Sequence, residues 1–244
     1  MLRNAFLMGL TLCQMAVAMA WGRDSAHAAM HERCFSSSER SQELGLFDRL
    51  QADRARHAQP VPVPPRFHDA LARLKKVARI PNGARVELVG THSGSSASVL
   101  SSGVIFLSSR LWRDELSLDR EEAAAVIAHE LAHLELSHVK DRLCEAVAAA
   151  GNEQIPLAAA TRAARQAVWS GDDQLAVRMM QANHLRELQA DRRAAELLRL
   201  AGLPGEAVGR MLLKLARSDG GGYSGSHPAL ESRLENLGQA VSAR

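Results

Sequence analysis

Apolar positions after Pro65 recur mostly at three- and four-residue intervals, so the chain reads as successive helices interrupted by one β-rich stretch. Phe67 to Ile80, FHDALARLKKVARI, has helical spacing, and Pro81-Asn82-Gly83 stops it. Ala84 to Gly90, ARVELVG, alternates and predicts a strand. Ser98 to Ser109 is a second strand-rich stretch with a break at Ser102-Gly103, and the two together predict a small antiparallel sheet. After Ser117 the pattern is helical throughout. LDREEAAAVIAHELAHLELSHVKDRL predicts one helix, with Asp119, Glu121 and Glu122 in a first turn whose positive end favours acidic groups. LAAATRAARQAV, the long DDQLAVRMMQANHLRELQADRRAAELLRLAG, GEAVGRMLLKLA and HPALESRLENLGQAV are further helices. Gly202 and Pro204 end the long one. The Gly-rich DGGGYSG precedes the last as a flexible loop, and no internal repeat is present. The expected fold class is mainly α, of the α+β kind.

The N-terminal part is patterned differently. Arg3 is followed by an almost uniformly apolar run from Ala5 to Ala20, with small residues at Ala18 and Ala20 and again at Ala26 and Ala28. This predicts a secretory signal peptide over residues 1–20, with cleavage after 20 or 28. The competing reading is an uncleaved N-terminal membrane anchor, since the run is near the lower limit for a span. Leu12 directly before Cys13 argues against a lipoprotein acceptor site. Residues 29–65 form an N-terminal segment with a short helix-like run, closed by QPVPVPP, a polyproline-like spacer. Residues 66–244 are the expected main domain. No segment after the leader is apolar over about 18 residues, so the mature chain is not expected to span a membrane.

Composition adds three limits. Aromatic residues are only 4%, so the core must be built from Leu, Ala and Val. A net charge of +3 comes with arginines spread along helices, not clustered with aromatics, so nucleic acid is not an expected partner. If the leader is removed, Cys34 and Cys144 remain. In an oxidising compartment they form a disulfide or stay as two free thiols, and one further option is Cys34 reaching a metal as an inhibitory thiolate.

The chemistry is concentrated in AAAVIAHELAHLELSH, Ala123 to His138. His129 and His133 are four apart and project side by side from one helix face, where both imidazoles can bind one metal ion. Glu130 is rotated about 100° from His129, so it suits a general base better than a third ligand. Zinc lowers the pKa of a bound water to about 7, and a carboxylate beside it can take the proton as that water attacks a peptide carbonyl. Two surface histidines on a helix would look the same, but Ala123 to Ala128 is apolar all round and therefore buried. Burying two imidazoles and a carboxylate there is costly without partners. Catalytic zinc needs a third ligand. Val139 stands where a third histidine would follow six residues after the second, and His138 is one residue early, so His138 reads as a helix-face residue. Glu187 and Asp191 in ELQAD are again four apart. Glu187 can ligate, and Asp191 can accept the N–H of a ligand histidine and fix its tautomer. Alternatively both acids pair with Arg186, Arg192 or Arg193 on a solvated face. His184, one turn before Glu187, is the other candidate ligand.

AAAVIAHELAHLELSH, RELQADRRAAELLRLAG and SHPALESRLENL together resemble the HtpX-type and CAAX-prenyl-protease family of zinc metallopeptidases, a gluzincin family, over roughly residues 66–240. The resemblance implies one zinc ion held by His129, His133 and Glu187, with Glu130 as base and Asp191 orienting His129. It implies a gluzincin-type helical metallopeptidase domain whose small sheet binds extended substrate at an edge strand. Family members carry Asn-Ala and Pro-Gly-Gly in that stretch, where this chain has Ser96-Ala97 and Ser101-Ser102-Gly103. His227 and Arg233 match a family pair that lies beside the metal. His227 then stabilises an oxyanion or caps the zinc as a fourth ligand, whereas His227-Pro228 could also be a plain helix start. Tyr223 is another candidate oxyanion donor. The chain resembles the soluble periplasmic BepA-like branch, without its tetratricopeptide repeats. That implies a zinc endopeptidase acting on extended or misfolded envelope proteins, with outer-membrane proteins as clients and envelope complexes as partners. The alternative is a zinc-capped, mostly silent quality-control binding protein.

Overall fold

A computed structural model of the chain describes residues 34–57, 60–92, 96–113, 116–218 and 227–242. The leader and the Gly-rich loop with Tyr223 lie outside the described residues. The order of elements is α1 (Ser38–His57), α2 (Pro65–Leu74), β1 (Glu87–Thr91), β2 (Ala97–Val99), β3 (Val104–Ser108), α3 (Arg120–Glu135), α4 (His138–Ala149), α5 (Leu157–Trp169), α6 (Asp173–Leu200), α7 (Ala207–Ser218) and α8 (Leu230–Ser242), with a 3-10 turn at Ser109–Trp112. The fold is mainly helical with one small sheet, as the hydrophobic pattern predicts.

α3 is the centre of the molecule. Every residue from Ala123 to Leu134 is buried, and α2, α6 and α7 pack around it. Its alanines let those helices approach closely, and Ile127 and Leu131 fill the remaining space. The helix starts on a capping box. Asp119 Oδ1 accepts from the backbone N–H of Glu121 and Glu122 at 2.8 Å each, and Glu122 Oε2 accepts from Asp119 N–H at 2.9 Å. Asp119 is therefore the cap itself and not a first-turn residue.

The predicted single helix from Leu118 to Leu143 is in fact two. Ser137 takes left-handed backbone angles, φ 60 and ψ 22, and α4 leaves in a new direction. No Gly, Asn or Pro marks this break. A left-handed serine costs about 1–2 kcal/mol. Burying Val139, Leu143, Ala146 and Val147 of α4 offsets that cost. α2 is also shorter than predicted and ends at Leu74, where the chain passes into turns whose Val77 and Ala78 N–H groups both donate to Leu74 O.

The sheet is mixed, which corrects the antiparallel expectation. Its order is β1-β3-β2, with β2 antiparallel and β1 parallel to β3. β2 and β3 form the hairpin whose turn is the Ser102-Gly103 break. Gly103 has φ +97, and a Cβ there would meet the Arg85 backbone at 2.9 Å. β3, the most apolar strand, takes the central position between β1 and β2 and pairs parallel with β1. β2 is an outer strand and lies beside α3. Since Leu100 N–H donates to Val104 and Ser108 N–H to Ser96, the peptide groups of Ala97 and Val99 point away from β3.

The N-terminal segment is docked. Val61 is buried and bridges Gly90, where a Cβ would come within 2.1 Å of Val61 O. Asp48 of α1 accepts from Ser101 Oγ and Ser102 N–H at 2.7 Å each. Glu43 accepts from Leu157 N–H at 2.6 Å. Cys34 is disulfide-bonded to Cys144 of α4, with 5.9 Å between their Cα atoms, so Cys34 is not a thiolate ligand. No helix among the described residues is long and apolar enough to cross a membrane.

Candidate metal centre

α3 and α6 bring three donors to one point. His129 Nε2 and His133 Nε2 are 3.0 Å apart. Glu187 Oε2 is 3.4 Å from the first and Oε1 is 3.3 Å from the second. A tetrahedral zinc with bonds of about 2.0–2.1 Å holds its ligand atoms about 3.3 Å apart. The two histidines are slightly closer than that and each faces a different Glu187 oxygen, so the three side chains converge near that spacing and could hold a metal ion. Glu187 Oε2 is buried and makes only long contacts, 3.4 Å to His129 Nε2 and 3.4 Å to Arg233, without a well-formed hydrogen bond. His184 is not among the converging donors.

The second carboxylate of α6 supports the first histidine. Asp191 is fully buried, and its Oδ1 lies 3.1 Å from His129 Nδ1. Arg233 of α8 grips both Asp191 oxygens at 2.7 Å in a bidentate pair. The solvated-face alternative for these acids does not occur. Arg186 pairs instead with Glu145, and Arg193 pairs with Glu135 and Glu196.

A family model described as Peptidase family M48 matches residues 64–241. The chain belongs to that family. No curated protein matches it. Family membership makes it a metallopeptidase hydrolase, which gives the donor cluster a chemical purpose.

Electrostatics in this M48 peptidase separates the roles of its titrating groups. Burial pushes Glu130 up to about 7, reinforced by the nearby Glu187 charge and opposed by His129. Burial would lower His129, but contacts with Asp191 and Glu187 outweigh it and lift the imidazole to about 10. Burial lowers His133 to about 4. Glu187 is held well below the usual carboxylate range. Burial alone would raise it, and the two histidines reverse the sign.

The remaining predicted residues fall as follows. His227 Nε2 lies 3.6 Å from Glu187 Oε2, so it borders the donor cluster. Arg233 touches Glu187 Oε2 at 3.4 Å in addition to gripping Asp191. Tyr223 lies outside the described residues. His138 was read from sequence as a helix-face residue, and the structure corrects this. It is 3% exposed, and its Nδ1 lies 3.0 Å from His133 Nδ1. Only the break at Ser137 turns it inward, and that break has no sequence signal.

Proposed function

We propose that this chain is a secreted, periplasmic zinc endopeptidase that cleaves extended or misfolded polypeptide. The observation that carries the reading is the meeting of His129, His133 and Glu187 at zinc-ligand spacing, with Glu130 next to His129 on the same buried helix. A zinc ion on those three would supply a Lewis acid and a water acidified to about 7. Glu130 takes the proton of the attacking water and returns it to the leaving amine. In the metal-free protein burial raises the pKa of Glu130 to about 7. Asp191 fixes the tautomer of His129, and Arg233 fixes Asp191. Arg233 adds positive charge beside Glu187. Substrate binds as an added strand on β2, using the peptide groups of Ala97 and Val99.

The periplasmic placement has two supports. Arg3 and the apolar run to Ala20 read as an export signal, and the Cys34–Cys144 pair suits an oxidising compartment. Outer-membrane proteins are the client class that the sequence resemblance points to. One observation favours a second reading, a zinc site capped by His227 and mostly silent. His227 Nε2 lies 3.6 Å from Glu187 Oε2, beside the three converging donors without being one of them.

The experiment is casein cleavage by wild type, Glu130→Gln and His227→Ala, with zinc content measured on each. Cleavage by wild type that Glu130→Gln abolishes supports the enzyme. Zinc-loaded wild type and His227→Ala that both fail to cleave would leave the binding protein standing. Less than about half an equivalent of zinc in wild type would sink both.

A further inference from the structure

We propose that His138 is a positioning residue for His133, holding it by an Nδ1–Nδ1 hydrogen bond. The inference rests on the zinc reading above and extends it to a residue outside the ligand set.

The two Nδ1 atoms are 3.0 Å apart, with ring centroids 5.0 Å apart and planes at 73°. At that distance one hydrogen is shared, with one ring donating and the other accepting. The direction is decided at the other end of His133. Its Nε2 faces His129 Nε2 and Glu187, so it must be bare of hydrogen to ligate a cation. A neutral imidazole then carries its hydrogen on Nδ1. His133 therefore donates, and His138 accepts through Nδ1. That leaves the hydrogen of His138 on Nε2.

The alternative role is plain packing. Against it, His138 is a polar ring in a buried place, and the chain reaches that place only through a left-handed serine. The two ligand histidines are thus supported differently. His129 leans on a carboxylate, and His133 on a neutral ring.

The test is zinc affinity by chelator competition on wild type, His138→Leu and His138→Asn, together with nitrogen-15 NMR of the histidine rings in zinc-loaded wild type. Asparagine places Oδ1 close to where Nδ1 was and keeps the acceptor. His138→Leu should weaken zinc binding about 10–100-fold, the usual cost of losing an outer partner. His138→Asn should stay within about threefold of wild type. The NMR should show the shared hydrogen bonded to Nδ1 of His133. Unchanged affinity in His138→Leu overturns the proposal, and so does equal loss in both variants. If His138→Leu does not fold, the ring spectrum decides alone, and the hydrogen on Nδ1 of His138 overturns it. Failure of wild type to bind zinc would instead defeat the metal reading itself.

Discussion

Asp191→Asn is the perturbation that separates fold from metal most cleanly. Asp191 is fully buried, accepts two 2.7 Å bonds from Arg233, and lies 3.1 Å from His129 Nδ1. Asparagine keeps the shape and removes the charge, leaving the buried Arg233 guanidinium only the more distant Glu187 carboxylate at 3.4 Å as counter-ion. Breaking a buried pair by removing one partner costs about 3–5 kcal/mol. The lower end applies, since one amide oxygen can still accept from Arg233. For a domain of this size, 3 kcal/mol corresponds to a fall of roughly 6–12 °C in the unfolding midpoint. The second effect is on the metal. Loss of the carboxylate behind a ligand histidine weakens zinc binding about 10–100-fold, or about 1.4–2.7 kcal/mol. The assays are thermal unfolding of the metal-free protein and chelator competition on the same preparation. A lower midpoint with unchanged zinc affinity would reduce Asp191 to a structural anchor for α8. An unchanged midpoint would refute the buried-pair argument.

The remaining predictions concern single groups. Glu130→Gln should lower casein cleavage about 10²–10⁴-fold while retaining a full equivalent of zinc, and loss of zinc in that variant would refute its assignment as base. Glu187→Ala should lose zinc on dialysis, because only two ligands remain. In the metal-free protein His129 is lifted from 6.5 to about 10, so its stabilising effect is fully present below about pH 6.5 and is lost as pH rises through about 10. The metal-free unfolding midpoint should therefore decline between pH 7 and 10, and a flat or rising midpoint refutes the assignment. For the same reason zinc uptake should release a proton in that range, detectable in weakly buffered solution. The Cys34–Cys144 bridge spans 110 residues, so reduction should destabilise the chain by about 4–5 kcal/mol on the loop-entropy model. A midpoint unmoved by reductant counts against that model here.

Much of the centre was legible because helices are local. His129 and His133 share a face through the 3.6-residue period alone, and so do Glu187 and Asp191. The uninterrupted apolar run from Ala123 to Ala128 announced a buried helix, and every one of those residues is buried. The capping acids and the Gly202-Pro204 stop were equally local. What sequence could not choose was partners. Glu187 and Asp191 stand among arginines, and only the fold showed those arginines engaged with Glu145, Glu135 and Glu196.

By itself, then, the sequence determined the helices, the two pairs of inward-facing side chains and the class of metal chemistry they suit. Tertiary structure alone decided the parallel pairing of β1 with β3, the grip of Arg233 on Asp191 and the inward turn of His138. The physical reason is range. Periodicity and capping act within a turn or two of chain, where residue identity decides the outcome. Strand order and the left-handed Ser137 depend on burial that distant elements provide, and no residue type at those positions records it.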